Sequence, residues 1–233
     1  MSAAPPSPLV VAIDGPSGVG KSTLARRLAT RLGIPYLDTG AMYRALGLRA
    51  LERNVDPADA EAVGAIAEGV DITLQRERDG RYAVLLDGQP VEPRIRSQAV
   101  ADATSRIATL PAVRAKMVAL QRACAAQHGA VVEGRDIGTK VFPDTPHKFF
   151  LDARPAVRAA RRAAQLRRQG HQADAAEIER EIANRDARDR EREDSPLRHD
   201  DSYVVLDTSD LSIDEIVERM LASIERRRSS DAG

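Results

Sequence analysis

The sequence predicts an α/β fold in which a five-stranded parallel sheet is flanked by helices. Short apolar runs alternate with polar turns and segments of helical periodicity, which is typical of a parallel sheet covered by helices. The five runs are residues 9–13, 34–37, 130–132, 148–151 and 203–206. Because ligands bind at the carboxyl ends of strands in such sheets, the polar residues after each run are the first candidates for a site.

The first apolar run leads into a glycine-rich segment and then a helix. Residues 15–23 fit the pattern G-x-x-x-x-G-K-[ST] of phosphate-binding loops (P-loops), and Leu24, Leu28 and Leu32 then share one helical face. We expect loop N–H groups to hold the phosphates of ATP, Lys21 to contact the β- and γ-phosphates, and Ser22 to bind Mg²⁺. The predicted cofactor-binding residues are Gly15, Pro16, Ser17, Gly18, Val19, Gly20, Lys21, Ser22 and Thr23.

Composition narrows the class of protein. The 233 residues are 42% hydrophobic and 30% charged, as in globular proteins. Basic and acidic residues number 35 each, which argues against a dedicated nucleic-acid binder. The single cysteine, Cys124, excludes an intrachain disulfide, and neither a membrane span nor a signal peptide is recognisable. We therefore expect a cytoplasmic monomer whose partners are small molecules, not nucleic acid or membrane.

Two stretches interrupt the alternation of strands and helices. Asp79-Gly80 between strand-like runs predicts a hairpin within a small antiparallel insertion over residues 71–92, and residues 57–69 and 98–127 around it have helical patterns. Residues 154–198 interleave arginines with acids and break at Gly170. They form either a salt-bridged, solvated helix pair or a mobile lid whose arginines reach the transferring phosphate. Their place between the fourth and fifth strands favours the lid.

Two further polar segments follow strands. Thr39 is expected to cap the helix after the second strand, while Tyr43 and Arg44, one turn later, suit a ribose or base and a second phosphate. In the segment after the third strand, Arg135 suits an anion and Asp136 an amine. The alternative is that Arg135 and Asp136 form a structural ion pair with each other.

Together these segments resemble the bacterial cytidylate kinase family. The resemblance spans about residues 10–226 and is carried by residues 15–23, 37–44, 133–138, 141–144 and 184–190. It implies transfer of the γ-phosphate of ATP to CMP and dCMP with Mg²⁺. A GTPase-type switch would need an Asn-Lys-x-Asp element, which is absent, and the balanced charge argues against a nucleic-acid-dependent ATPase. Another small-molecule P-loop kinase, with a different monophosphate or a shikimate-like acceptor, is the remaining alternative.

The resemblance also assigns domains and residues. It implies a core of residues 9–40, 100–153 and 200–226, an insertion-bearing monophosphate-binding region over 41–99 and a lid over 154–199. Residues 1–8 are small and rich in proline, and we expect them and residues 227–233 to be disordered. Lys-Ser-Thr replaces the common Lys-Gly-Thr after the loop, yet Ser22 still offers Mg²⁺ a hydroxyl. The implied roles are cytosine contact for Thr39, Arg114 and Asp136, monophosphate binding for Tyr43, Arg44 and Arg135, sugar contact for Ser105, Arg185 and Asp189, phosphate contact from the lid for Arg192, and catalysis by Lys21, Arg135, Arg185 and Arg192.

Overall fold

The computed structural model describes residues 8–78, 82–168, 170 and 174–231. A 3₁₀ turn occupies Arg94–Arg96 and a π-helical turn Ile137–Val141. In chain order, the strands and helices are β1 (Val10–Asp14), α1 (Lys21–Leu32), β2 (Tyr36–Asp38), α2 (Thr39–Glu52), α3 (Ala60–Gly69), β3 (Ile72–Arg76), β4 (Tyr82–Leu86), β5 (Gln89–Pro90), α4 (Gln98–Ile107), α5 (Pro111–His128), β6 (Ala130–Gly134), β7 (His147–Asp152), α6 (Pro155–Arg168), α7 (Ala175–Glu191), β8 (Val204–Asp207) and α8 (Ile213–Asp231).

The central sheet contains the five predicted strands, all parallel, in the order β2-β6-β1-β7-β8. Consecutive strands along the chain are separated by helices or loops that return the chain to the amino end of the sheet, which parallel pairing requires. In register, Asp14 pairs with Gly134 and Asp38 pairs with Glu133. Three carboxylates therefore reach the same edge of the sheet on adjacent strands.

Helices cover both faces of this sheet, and each face has its own hydrophobic cluster. Leu24 and Leu28 of α1 are buried against the first face, as their spacing predicted. On that face the cluster also includes Val11, Ile13, Phe149 and Met220. On the other face α2 and α5 supply most of the buried helical residues, among them Met42, Leu46 and Met117.

The predicted antiparallel insertion is present as a three-stranded sheet in the order β3-β4-β5. The predicted turn at Asp79-Gly80 lies outside the described residues, but β3 and β4 pair as a hairpin would, with Arg76 opposite Tyr82. Ile72 and Leu86 are buried in the same cluster as α2. The insertion is thereby attached to the helix that carries the acceptor candidates.

The helix predicted over 98–127 is two helices, because the chain breaks before a proline. Leu110 is extended, and Pro111 occupies the first turn of α5. Proline disfavours a helical conformation in the preceding residue and cannot donate to the previous turn. The helix predicted from Pro57 begins at Ala60, where the Asp59 carboxylate caps the first turn.

The ordered chain extends further than expected at its C-terminal end. Residues 227–231 belong to α8, so the predicted disorder over 227–233 is wrong for this part. Arg227 donates hydrogen bonds to the carbonyl oxygens of Pro146 and Ser202, which fixes this turn against the sheet. The predicted disordered start falls, apart from Pro8, outside the described residues. In the part of the chain that is described, no helix has the length and hydropathy needed to cross a bilayer.

Candidate active site

A large cavity lies at the carboxyl edge of the sheet. Its volume is about 1320 Å³, and it extends from the glycine-rich loop, past α2 and α4, to the inner faces of α6 and α7. The loop from Ser17 to Thr23 lines one end. Every acceptor residue implied by the resemblance lines the same cavity: Thr39, Tyr43, Arg44, Ser105, Arg114, Arg135, Asp136, Arg185, Asp189 and Arg192. Gly15 and Pro16 do not line it.

The loop leaves β1 through a residue that has no room for a side chain. A Cβ on Gly15 would lie 2.2 Å from the carbonyl oxygen of Leu151, so only glycine permits this close approach. Lys21 folds back onto the loop, and its Nζ donates to the carbonyl oxygens of Gly15 and Pro16 at 2.7 Å each. Burial, followed by repulsion from Arg135, lowers the pKa of Lys21 to about 7. A triphosphate would draw this ammonium away from the two carbonyls and stabilise its charge.

A buried carboxylate next to the loop was not among the sequence-predicted site residues. Glu133 lies near the end of β6, beside β1, and accepts a hydrogen bond from the Tyr36 hydroxyl. The nearby Ser22 hydroxyl acts to lower the pKa of this carboxyl. Burial and the neighbouring Asp38 raise the pKa of Glu133, despite the opposing effect of Lys21. Its position as an acid directly after a buried strand adjacent to the loop was the available sequence signal.

The oxygen donors of Ser22 and Glu133 fit a magnesium–nucleotide complex. Mg²⁺ commonly takes one or two protein oxygens and completes its shell with phosphates and water. Among the described residues, no group of three or more acidic, histidine or cysteine side chains could hold a metal without such a ligand.

A second missed carboxylate, Asp14, ties the loop-bearing strand to the acceptor side. It is fully buried, and its two oxygens accept from the N–H groups of Ile137 (2.8 Å) and Gly138 (2.9 Å) and from the Tyr203 hydroxyl (2.8 Å). Burial raises the pKa of Asp14 to about 6, although these hydrogen bonds oppose the change. The contacts fix the backbone that immediately follows Asp136.

The cap of α2 differs from the prediction. The Asp38 carboxylate accepts from the Ala41 N–H at 2.9 Å, whereas the Thr39 hydroxyl donates to the Glu133 carbonyl at 2.7 Å. Thr39 is already the first helical residue, so its side chain is one position too late to cap the helix. Asp38 also pairs with Arg44 at 2.8 Å. Burial raises the pKa of Asp38, but Arg44 and Arg96 outweigh this effect and the net shift is downward.

At the far end of the cavity, a buried guanidinium meets two carboxylates. Arg114 is 2% exposed, donates from Nη2 to Asp136, and donates from Nε to Asp194 at 3.1 Å. Nη2 of Arg192 lies 3.5 Å from the other oxygen of Asp136. Arg192 thus lies in this group, and its contact with phosphate stays a prediction.

Between the two ends lies a cluster of positive charge. Arg135 donates from Nε to Asp189 at 2.7 Å and from Nη2 to the Ser17 hydroxyl at 3.0 Å. The alternative ion pair between Arg135 and Asp136 is therefore not formed, since each has a partner elsewhere. Burial, followed by repulsion from Arg135, lowers the pKa of Arg185 to about 10. This cluster would be stabilised by an anion placed between the loop and α7.

Several buried polar atoms of cavity-lining residues lack hydrogen-bond partners. Buried polar atoms are rarely left without hydrogen bonds, because desolvation without a partner is costly. Among the described residues, four such atoms belong to the predicted site: Nε of Arg44, Oγ of Ser105, Nε of Arg185 and Nη2 of Arg192. All four belong to cavity-lining residues, as expected of groups that hydrogen-bond a ligand.

Comparisons with known proteins identify the family. A family model described as cytidylate kinase matches residues 11–226. The chain is 45% identical over 218 residues to a protein named cytidylate kinase from Symbiobacterium thermophilum, covering 94% of this chain and 96% of the relative. It is 46% identical over 222 residues to a protein of the same name from Rhodococcus opacus, covering 95% and 96%.

One solved structure supports the fold alone. The crystal structure of an uncharacterized protein from Eubacterium ventriosum superposes with a TM-score of 0.51 at 12% identity, covering 93% of this chain and 98% of that protein. The family assignment depends on the family model and on the relatives in sequence, which extend over nearly the whole chain. The chain belongs to the cytidylate kinase family.

Proposed function

We propose that the protein transfers the γ-phosphate of ATP to CMP, and also to dCMP, with release of ADP. Family membership supports phosphorylation of CMP. The observation that carries the proposal is the joint cavity of about 1320 Å³, which is lined both by the glycine-rich loop and by arginine and serine residues whose buried polar atoms lack hydrogen-bond partners. Sites for one small ligand usually measure about 300–1,000 Å³, so this cavity suits two nucleotides side by side.

At the donor end, loop N–H groups and the N-terminus of α1 would hold the phosphates of ATP. Lys21 would exchange its two carbonyl acceptors for β- and γ-phosphate oxygens. Ser22, with Glu133 behind it, would hold Mg²⁺, which when bound neutralises charge on those same oxygens. Tyr36 donates to Glu133 and so restrains the orientation of this carboxylate.

At the acceptor end, the charges match cytosine. Cytosine presents an amine at C4 and acceptors at N3 and O2, whereas uracil presents an acceptor at C4 and a donor at N3. Asp136 would accept from the amine, and Arg114 would donate to N3 or O2, with Thr39 as a further contact. Arg44 and Arg135, with Tyr43, would bind the monophosphate, and Ser105, Arg185 and Asp189 would contact the sugar. Uracil would place its carbonyl against the Asp136 carboxylate.

Phosphoryl transfer would then need no general base. The second pKa of the CMP phosphate is about 6, so at pH 7 its oxygen is mostly deprotonated. This oxygen attacks the γ-phosphorus, the bond from the γ-phosphorus to the β–γ bridging oxygen breaks, and ADP leaves with the electron pair. Lys21, Arg135 and Arg185 would stabilise the negative charge on the phosphoryl group during transfer, and closure of residues 154–199 would exclude water.

An acceptor panel tests the proposal. ADP release is measured with ATP and, in turn, CMP, dCMP, UMP, AMP, GMP and shikimate, with an acceptor-free reaction to quantify hydrolysis. We expect CMP and dCMP to give the highest kcat/KM and the acceptor-free rate to be small. A higher kcat/KM with UMP, AMP or shikimate would instead identify another small-molecule kinase.

A further inference from the structure

A buried ion pair outside the assigned substrate contacts lies directly under the phosphate-binding loop. Arg158 of α6 and Asp186 of α7 are 6% and 1% exposed, and Nη1 of Arg158 donates to Asp186. A pair this deep contributes little net stability, because both charges lose their hydration. The pair therefore acts mainly by fixing the positions of the groups that it contacts.

That geometry concerns Ser17, in the middle of the loop. Asp186 Oδ1 accepts from the Ser17 N–H at 3.3 Å, and Nη1 of Arg158 donates to the Ser17 carbonyl oxygen at 3.2 Å. The peptide groups on both sides of Ser17 are thus bound by the two members of one ion pair. Nε of Arg158 also donates to the Ala153 carbonyl at 3.2 Å, which fixes the guanidinium relative to the end of β7.

The next residue shows how closely α6 approaches the loop. Gly18 has a φ of +81°, and a Cβ there would lie 2.9 Å from the carbonyl oxygen of Arg158 and 3.0 Å from its Cβ. Glycine permits both the backbone conformation and the contact. The first turn of α6 therefore packs directly on loop backbone, and small movements of this turn would be transmitted to the loop.

The same point organises the acceptor side. The Ser17 hydroxyl accepts from Arg135, and Arg135 donates in turn to Asp189, one turn beyond Asp186 on α7. The backbone of Ser17 is held by Arg158 and Asp186, and its side chain by Arg135. Ser17 on the donor side and Arg135 on the acceptor side are thus both bonded to the same turn of α7.

We propose that Arg158 and Asp186 are positioning residues for phosphoryl transfer: they clamp the Ser17 peptides, align the loop amides for ATP and place the arginines of α7 relative to the loop. The clamp also anchors the bases of α6 and α7. Closure of the lid would consequently be confined to the parts of both helices that are remote from the clamp. The role in transfer rests on the function proposed above, whereas the restraint on the loop does not.

The test removes both charges together, since one buried charge left alone destabilises the fold. In Arg158→Met/Asp186→Leu, amide hydrogen exchange of residues 15–21 in nucleotide-free protein should accelerate by about tenfold or more. We expect kcat/KM for ATP to fall by about a hundredfold, the scale of a misplacement of roughly 1 Å, with the KM for ATP raised. The matched control is Arg31→Met/Glu218→Leu, which removes an exposed pair between α1 and α8 and should leave both measurements unchanged.

Arg158→Lys provides a second variant that retains the charge. A lysine can still pair with Asp186 but cannot hold the Ser17 and Ala153 carbonyls with a planar fork, so loop exchange and the KM for ATP should both rise. If the pair only stabilised the fold, its loss would lower the melting temperature and leave the kinetics of the folded enzyme intact. Wild-type loop exchange and KM in either folded variant would overturn the proposal. Absence of CMP-dependent ADP release by the unmutated protein would refute the proposed function instead, while the exchange data would still test the clamp.

Discussion

Substitution of Asp136 by asparagine tests base recognition most directly. The carboxylate is buried and binds Arg114, which is itself 2% exposed. In the proposed complex it accepts from the C4 amine of cytosine. An asparagine has nearly the same shape, but its amide group can rotate and donate to the C4 carbonyl of uracil. The variant should therefore lose affinity for CMP and gain tolerance for UMP.

The magnitude follows from the environment of this side chain. A hydrogen bond that involves a buried charge is worth about 1.5–3 kcal/mol, which corresponds to about 10- to 150-fold. We expect the ratio of kcat/KM for CMP to that for UMP to fall by this factor. The KM for ATP should change little, since the ionic partners of Asp136 are Arg114 and Arg192 and not residues of the loop. Arg114 keeps its bond to Asp194, so the variant should remain folded.

The assay is steady-state ADP release with each acceptor at saturating ATP, supported by thermal unfolding of each protein. Asp144→Asn, at an exposed aspartate, is the matched control and should leave the CMP-to-UMP ratio unchanged. An unchanged ratio in folded Asp136→Asn, or an equal loss with both acceptors, would refute the assignment of Asp136 to the base.

Three further predictions concern the loop, the sheet edge and the lid. Lys21→Ala should lower kcat by at least about a hundredfold in steady-state assays of folded protein. Near-normal turnover would refute the proposed contact of Lys21 with the transferring phosphate. The raised pKa of Asp14 means that its stabilising contribution is complete below the unfolded pKa and is lost as pH rises through about 6. The unfolding free energy of wild type relative to Asp14→Asn should accordingly fall by about 1.4 kcal/mol between pH 5 and pH 8 in urea titrations, and a pH-independent difference would contradict the shift. An ATP analogue and CMP together should protect amides in the distal parts of α6 and α7 from hydrogen exchange more than either ligand alone, and equal protection in free and liganded protein would favour a static helix pair. Arg192→Ala should lower kcat with little change in melting temperature. A change confined to the CMP-to-UMP ratio would assign Arg192 to the base instead.

Local patterns in the sequence were sufficient for the elements of the fold. The five strands, the glycine-rich loop and α1 follow from apolar runs and spacings of a few residues, which depend on neighbours along the chain. The break before Pro111 had a local signal as well, in the proline itself. The extension of α8 to Asp231 had none, because Arg227 reaches carbonyls of residues 146 and 202.

The candidate site divides in the same way. The polar residues after each strand could be selected from the sequence, and the family resemblance added Ser105 and Arg114, which helical periodicity alone would leave on a helix surface. The roles of Asp14 and Glu133 were missed. Each is an acid at the end of a buried strand, yet its importance depends on the N–H groups and hydroxyls that other strands bring to it.

The sequence by itself determined the class of fold, the glycine-rich loop between β1 and α1 and the set of charged residues available for a site. Only the tertiary structure decided which charges pair. Arg135 could have bonded the adjacent Asp136, but it bonds Asp189, and the Ser17 N–H bonds Asp186, 169 residues away. The physical reason is that helix and strand formation respond to side chains a few residues apart, whereas ion pairing depends on strand order and helix packing, which bring distant segments to one edge of the sheet.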